Sequence, residues 1–407
     1  MNLLVDAPSR VRTGTRVALV VLLTGASLQA ASRRTGHDLG TLGGTASDAP
    51  SISNNGVIVG DSRLSGDSSS HGFRWTSTHG MVDLGTLGGD SSTATAVSDD
   101  GRFVAGSSAT AAGGQHAFRW SPRDGMIDLT PYTLESSRAT AVADNGTVAG
   151  NSYDPWTGIN RGWVWTERNG LIDLGTLGGY TTTVRAITRS GSIVAGESTL
   201  AGEMQVHAFV WTRRRGMIDL GTLGGRYSYT GAISDSGTVV GWSGLATGNL
   251  EHAFVWTEAD GLLDLSPHNS ESTHATAINR HGVVTGVRYV ATADPRVSVS
   301  QACVWTSIGR TLDIGTLGGP FSWPFGIGND GRVVGMSQIA NGSTHAFAWS
   351  RTHGLVDLSA PESSYGIAQS ITANGEWAVG VDGGHAALWR LDDAMVARPP
   401  VVKEPKR

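Results

Sequence analysis

Along most of this chain apolar and polar residues alternate in short runs, and glycine or an Asp/Asn pair bounds each run. In Gln115-His116-Ala117-Phe118-Arg119-Trp120-Ser121 the side chains of His116, Phe118 and Trp120 fall on one face and Ala117 and Arg119 on the other. That period of two belongs to a strand. Three further runs accompany it: Thr93 to Val97, Phe103 to Ser107 and Met126 to Leu129. Asp99-Asp100-Gly101 joins the first two and Gly125 turns the third into the fourth, because glycine accepts the positive φ of tight hairpins. Each set predicts a four-stranded antiparallel unit, and no helical periodicity interrupts it.

The set recurs. Its third-strand tryptophan stands at Trp75, Trp120, Trp165, Trp211, Trp256, Trp305, Trp349 and Trp389, a step of about 45 residues, the size of one propeller blade. The hairpin glycine recurs in every unit, from Gly56 and Gly101 to Gly331 and Gly375. The first strand is built from small residues, as in Ala94-Thr95-Ala96-Val97, which suits the crowded strand nearest an axis. The expected fold is therefore all-β: a β-propeller of eight four-stranded blades. A β-helix is the alternative, but its shorter coils would not need two glycine hairpins per unit. The last unit lacks a good fourth strand, while His37-Asp38-Leu39-Gly40-Thr41-Leu42 stands spare before the first. The N-terminal strand is expected to close the last blade and remove the open edge.

These residues resemble the HAF repeat family, named for the triplet seen as His116-Ala117-Phe118, His207-Ala208-Phe209, His252-Ala253-Phe254 and His345-Ala346-Phe347. The resemblance covers residues 37 to 396 and implies an exported, extracellular repeat protein.

At 407 residues an ordinary chain would divide into two or three domains, but repeats pack only on their neighbours, so 37–396 reads as one domain. Residues 1–30 read as an export signal: Arg10, Arg12 and Arg16 precede an apolar run from Val17 to Leu23 and small residues through Ala31. The run is too short for a membrane span, so none is expected in the mature chain. Residues 397–407 read as a mobile tail. A net charge of −5 gives no reason to propose nucleic acid as a partner. Cys303, the one cysteine, replaces Phe two residues before the tryptophan and reads as a small core residue. A monomer is expected.

Three features invite a chemical reading. Histidine precedes the tryptophan by four residues at His71, His116, His207, His252, His345 and His385, with Arg161 and Gln301 substituting. Ligands must converge within about 2.0–2.3 Å of a metal, which histidines in separate blades do not, so a bond to an Asp or backbone group is the better reading. The motif Asp83-Leu84-Gly85-Thr86-Leu87-Gly88-Gly89 recurs at Asp38, Asp173 and Asp219, and at Asp313 with Ile for Leu. It lacks the lysine and helix of a phosphate loop and reads as the bend between blades. Gly241-Trp242-Ser243-Gly244 lacks the spacing of a nucleophile elbow. No catalytic residue, metal ligand or cofactor is therefore assigned.

The tyrosines carry the functional expectation. Tyr132, Tyr180, Tyr227, Tyr229 and Tyr365 read as lying in blade-crossing segments, and Tyr153 and Tyr289 beside loops joining second to third strands. Both kinds of connection emerge on one side of a propeller, opposite the glycine hairpins. Trp156, Phe321, Trp323 and Phe325 join them, as do the long loops 152–162 and 288–300. Tyr and Trp present flat, partly polar surfaces at little entropic cost. Tyr153, Trp156, Tyr180, Tyr227, Tyr229, Phe321, Trp323 and Phe325 are thus the expected ligand-binding residues. The leading reading is an exported, non-enzymatic binding or scaffold module for a glycan or surface protein. The alternative is a propeller enzyme acting on extracellular polysaccharide.

Overall fold

In the first unit, Gly43–Ile52, Ile58–Leu64, Ser70–Thr76 and Gly80–Asp83 pair antiparallel in chain order. Seven more sets follow the same order, with innermost strands Gly88–Val97, Ser136–Val142, Gly178–Ile187, Gly224–Ile233, Thr273–Ile278, Gly318–Ile327 and Gly366–Ile371. The computed structural model describes residues 36–392 except 132–135, 203–204, 247–248 and 292–298. The segments expected to be an export signal and a mobile tail lie outside the described residues. The eighth blade takes three strands from the C-terminal end and its fourth, His37–Asp38, from the N-terminal end, with His37 opposite Leu388 and Asp38 opposite Ala387. Each innermost strand contacts the next, and that of blade eight contacts that of blade one, so the ring closes. The expected eight-bladed propeller, with its N-terminal strand completing the last blade, is the observed fold.

Blades are buried on both faces, and the alternation decides what each face meets. In blade two, Phe118 and Trp120 pack towards blade one on Val57 and Val59, while Ala117 packs towards blade three with Trp163 and Ala139. Arg119 lies on the latter face, 3% exposed, with its guanidinium over Phe103 and Trp165. Cys303 fills the Phe slot of blade six with no exposure beside Trp305, and burial pushes its thiol far up, as a core residue requires. The hairpin glycines, φ +72 at Gly101 and +83 at Gly56 among them, all hold the left-handed conformation.

Two boundaries differ from expectation. Innermost strands begin earlier: that of blade two starts at Gly88, where Thr93 was expected. Gly88 already pairs with Thr110, and a bulge before Ser92 absorbs the extra residues, so the double glycine bends the strand without ending it. Tyr180, Tyr227, Tyr229, Phe321, Trp323 and Phe325 therefore stand on innermost strands and not in crossing segments. The crossing itself is Asp83 to Leu87: the Asp83 carboxylate accepts from Gly85 N at 2.7 Å, and Gly85 takes φ +74. The loop expected over 152–162 is also shorter, since its strands are Val148–Asp154 and Ile159–Thr166.

Candidate functional site

The repeated histidines are each closed on a partner. Nδ1 donates to the fourth-strand Asp twelve residues on: His71 to Asp83 at 2.8 Å, His116 to Asp128 at 2.7 Å, His207 to Asp219 at 2.9 Å, His252 to Asp264 at 2.8 Å and His345 to Asp357 at 2.9 Å. His385 makes the same bond to Asp38 at 2.8 Å across the chain ends. In blade six, where Gln301 replaces the histidine, Arg288 reaches Asp313 at 2.8 Å instead. The column is spoken for by architecture.

The loops of the glycine-hairpin face are likewise bonded to one another around most of the ring. Asn54 N donates to Asp99 O, Asp100 N to Asp144 Oδ1, Asp144 N to Arg189 O and Arg189 N to Asp235 Oδ1. Arg280 N donates to Asn329 Oδ1, Asn329 N to Ala373 O and Ala373 N back to Asn54 Oδ1. Within this ring is an axial depression of about 290 Å³, lined by Ile52, Val97, Ile233, Ile278, Ile327 and Ile371. Arg189 bridges it, pairing with Asp99 at 2.6 Å and Asp235 at 3.0 Å.

The crossing face differs, and eight internal copies show how. One cross-strand pair between innermost and second strands is small and hydroxylated in most blades: Ser47–Ser62, Ser92–Ser108, Ser137–Ser152, Thr182–Ser198, Ser228–Ser243 and Ser322–Ser337. It faces the preceding blade, where Ser92 Oγ accepts from Gly72 N at 2.9 Å and donates to Gly85 O at 2.6 Å. The neighbouring pair points towards the following blade and is Asp48–Asp61, Thr93–Ser107, Arg138–Asn151, Thr183–Glu197, Tyr229–Trp242, His274–Val287, Trp323–Met336 and Ile367–Val381. One column is held constant by the fold. The other is released.

In blades five to seven the released positions join. Ring centroids run Tyr227–Tyr229 at 5.6 Å, Tyr229–Trp242 at 5.5 Å, Trp242–His274 at 4.6 Å, His274–Tyr289 at 4.9 Å and Tyr289–Trp323 at 6.2 Å. Trp242 stacks between Tyr229 and His274, with interplanar angles of 27° and 19°. Gly244 leaves room for the Tyr227 ring, whose atoms lie 3.4 Å from where a Cβ would stand. All six rings are half-buried. Glu251 sits beneath them: Oε1 accepts from Tyr227 OH at 2.8 Å and Oε2 from His274 Nε2, while His274 Nδ1 accepts from Tyr289 OH at 3.3 Å. The bond from Glu251, then burial, pushes Tyr227 up to about 12. Burial lowers His274 below the ordinary imidazole value and outweighs the opposing pull of Glu251. In blades one and four the corresponding pair carries acids. Burial, reinforced by the charge of Asp48, pushes Asp61 up to about 6. Glu197 is raised by burial despite Arg185, whose Nε donates to it at 2.7 Å.

Of the eight residues expected to bind ligand, Tyr227, Tyr229 and Trp323 enter the arc. Phe321 and Phe325 flank Trp323 on its strand, and Phe325 is 36% exposed. Tyr153, Trp156 and Tyr180 belong to blades three and four, away from the arc. Trp156 is 93% exposed at the tip of a turn fastened by Asp154, which accepts from Trp156 N at 2.9 Å and Thr157 Oγ1 at 2.7 Å. Tyr365 immediately precedes the innermost strand of blade eight. Tyr132 lies outside the described residues. Trp242 and His274 were missed because sorting aromatics by loop passes over strand positions, and Glu251 because that sorting considered aromatics alone. Lining up the eight copies column by column would have found Trp242 and His274.

No protein-family model matches the chain, and no curated protein matches it. Solved structures share its fold. The β-propeller domain of the Trilobed protease from Pyrococcus furiosus, described as having an open velcro topology, aligns over 77% of this chain and 98% of its own, with 9% identity and TM-score 0.50. Porphyromonas gingivalis dipeptidyl peptidase 4 aligns over 89% of this chain and 59% of its own, with 9% identity and TM-score 0.54. An acylaminoacyl peptidase aligns over 77% of this chain and 52% of its own, with 9% identity and TM-score 0.50. This chain thus spans little more than half the length of either of those two peptidases. At such identities the likeness is one of architecture: the chain is similar to their propeller parts.

Proposed function

We propose that this protein is an exported, non-enzymatic binding module of the HAF-repeat type, and that its ligand, a glycan or surface protein, docks at the crossing face on the arc of blades five to seven. The observation that carries this reading is the divergence of one column among eight otherwise matching copies. Positions that build blades are kept, as Ser, Gly, His, Asp and Trp. Positions free of that duty hold a continuous run of aromatic rings, and clusters of half-exposed Tyr and Trp serve recognition well. The hairpin face, by contrast, uses its polar groups to join its own blades. Export rests on the charged-then-apolar order of residues 10–31 and on the family resemblance. Among the described residues no helix is long and apolar enough to cross a membrane.

The test is a glycan array together with pull-down from a surface extract, using the chain without residues 1–30. Trp323→Ala should abolish capture, and Trp156→Ala should weaken it if the ligand extends to blade three. Capture unaffected by both changes refutes the placement. The enzymatic alternative is checked in the same preparation: glycan turnover that a single Asp or Glu substitution abolishes would displace the binding-only reading.

A further inference from the structure

We propose that the arc of blades five to seven recognises an organic cation, an alkylammonium group on its ligand, in preference to a neutral sugar face. This rests on the arc being the ligand site. Its ground is the state of Glu251. That carboxylate is 25% exposed, and both of its partners, Tyr227 OH and the His274 imidazole, are uncharged donors. Because Glu251 only accepts, Nε2 of His274 carries the proton, and Nδ1 faces Tyr289 OH, which can donate to it. Burial lowers His274 below the ordinary imidazole value, which favours this neutral form near neutral pH. Among the described residues no Lys or Arg reaches Glu251, since Arg288 is taken by Glu271 at 3.1 Å and Asp313 at 2.8 Å.

A half-buried carboxylate without a counter-cation is costly in a free protein, and an arriving cation removes that cost. The field of Glu251 reaches the arc: its charge contributes to raising the hydroxyls of Tyr227, Tyr229 and Tyr289. Aromatic rings add to it, because their faces carry the negative end of a quadrupole and attract ammonium groups, Trp most strongly. Neutral sugars gain little from either term. Moreover, Trp242 has both faces covered by Tyr229 and His274, so it offers no open platform for a pyranose to stack on. Rings at the ends of the stack remain for contact: Tyr227, bonded to Glu251, and Trp323, against Tyr289.

Choline and its neutral isostere 3,3-dimethylbutan-1-ol have the same shape and differ in charge, which makes them the probes. Titration calorimetry with the chain lacking residues 1–30 should show choline binding at least about tenfold tighter, the gain expected of about 1–2 kcal/mol from cation–π contact. Glucosamine against N-acetylglucosamine repeats the comparison on a sugar. Glu251→Gln keeps an acceptor for Tyr227 and should reduce the preference to what the rings alone supply, and Trp323→Leu should weaken choline binding while leaving the melting temperature unchanged. Equal binding of choline and isostere, both weakened by Trp323→Leu, would overturn the cation proposal and leave the site standing. Absence of binding by all four probes would overturn the proposal, and the array experiment then decides the site separately. Preference for choline undiminished by Glu251→Gln would also overturn it.

Discussion

At the residue scale, the repeated histidine shows how one bond serves differently with its surroundings. His345 is 1% exposed, bonds Asp357 and also meets Ser363 O through Nε2 at 2.9 Å. His116 is more open, and His385 with Asp38 is the most exposed pair, with side-chain values of 38% and 60%. Removing a buried partner costs about 1–3 kcal/mol, whereas an exposed pair contributes about 0–1 kcal/mol. Alanine substitutions should therefore rank His345 above His116 above His385 in destabilisation, measured by denaturant melts, with chelator changing none of them. An equal loss at all three, or a chelator effect, would contradict the structural role. Asp61 gives a prediction in pH. Its folded value of about 6 stands above the ordinary 3.8, so the folded state holds the proton more tightly. The stability this supplies is present at low pH and is lost as pH rises through about 6. Asp61→Asn should then raise the melting temperature at pH 8 and leave it nearly unchanged at about pH 3, below both values. The same offset at both pH values would mean that the proton is irrelevant.

At the element scale, closure depends on the two paired residues His37 and Asp38 together with the segment from Leu39 to Leu42. Leu39 and Leu42 pack with Trp75 and Phe73 beneath the joined ends, and Ser47 Oγ donates to Gly40 O at 2.7 Å. Burial of Leu39 and partial burial of Leu42 contribute about 3–6 kcal/mol at most, and at about 2–4 °C per kcal/mol deletion of residues 37–44 should lower the melting temperature by about 6 °C or more. An unchanged melt in differential scanning calorimetry would show that another segment closes the blade. Strand closure was legible because His37-Asp38-Leu39-Gly40-Thr41-Leu42 repeats a motif found at the end of other blades. The start of the innermost strands was not. A double glycine reads as a break, yet Gly88 and Gly89 lie in the ladder, since a bulge accommodates the surplus and Gly89 sits where a Cβ would strike Ala109 at 2.6 Å. The arc was half legible: Tyr227, Tyr229 and Trp323 stood out by type, whereas Glu251 and His274 acquire meaning only when blades five and six meet, a contact no local pattern encodes.

At the scale of the whole molecule, the propeller has two faces with opposite patterns of hydrogen bonding. Loops on the hairpin face donate to the next loop around most of the ring, and Arg189 ties blade four to Asp99 in blade two. Asp99 is held above the ordinary carboxylate range by burial, against the pull of Arg189 and with Asp144 and Asp235 nearby. With Arg189→Gln, Asp99 loses its compensating charge and rises further, so the variant's deficit in melting temperature should be larger at pH 8 than at pH 5, where the carboxyl takes up a proton. The pair is half-exposed, and its contribution at neutral pH is small, about 0–1 kcal/mol. Binding should not notice. The arc lies at the other end of the innermost strands, away from the partners of Arg189, Asp99 and Asp235. Trp323→Ala should do the reverse, removing ligand capture with little change in the melt, because Trp323 meets the arc only by the edge-type contact with Tyr289. The pair of variants thus separates stability from recognition by face. If Arg189→Gln abolishes capture of the array ligand while Trp323→Ala retains it, the binding surface belongs to the axial depression and the arc is packing alone.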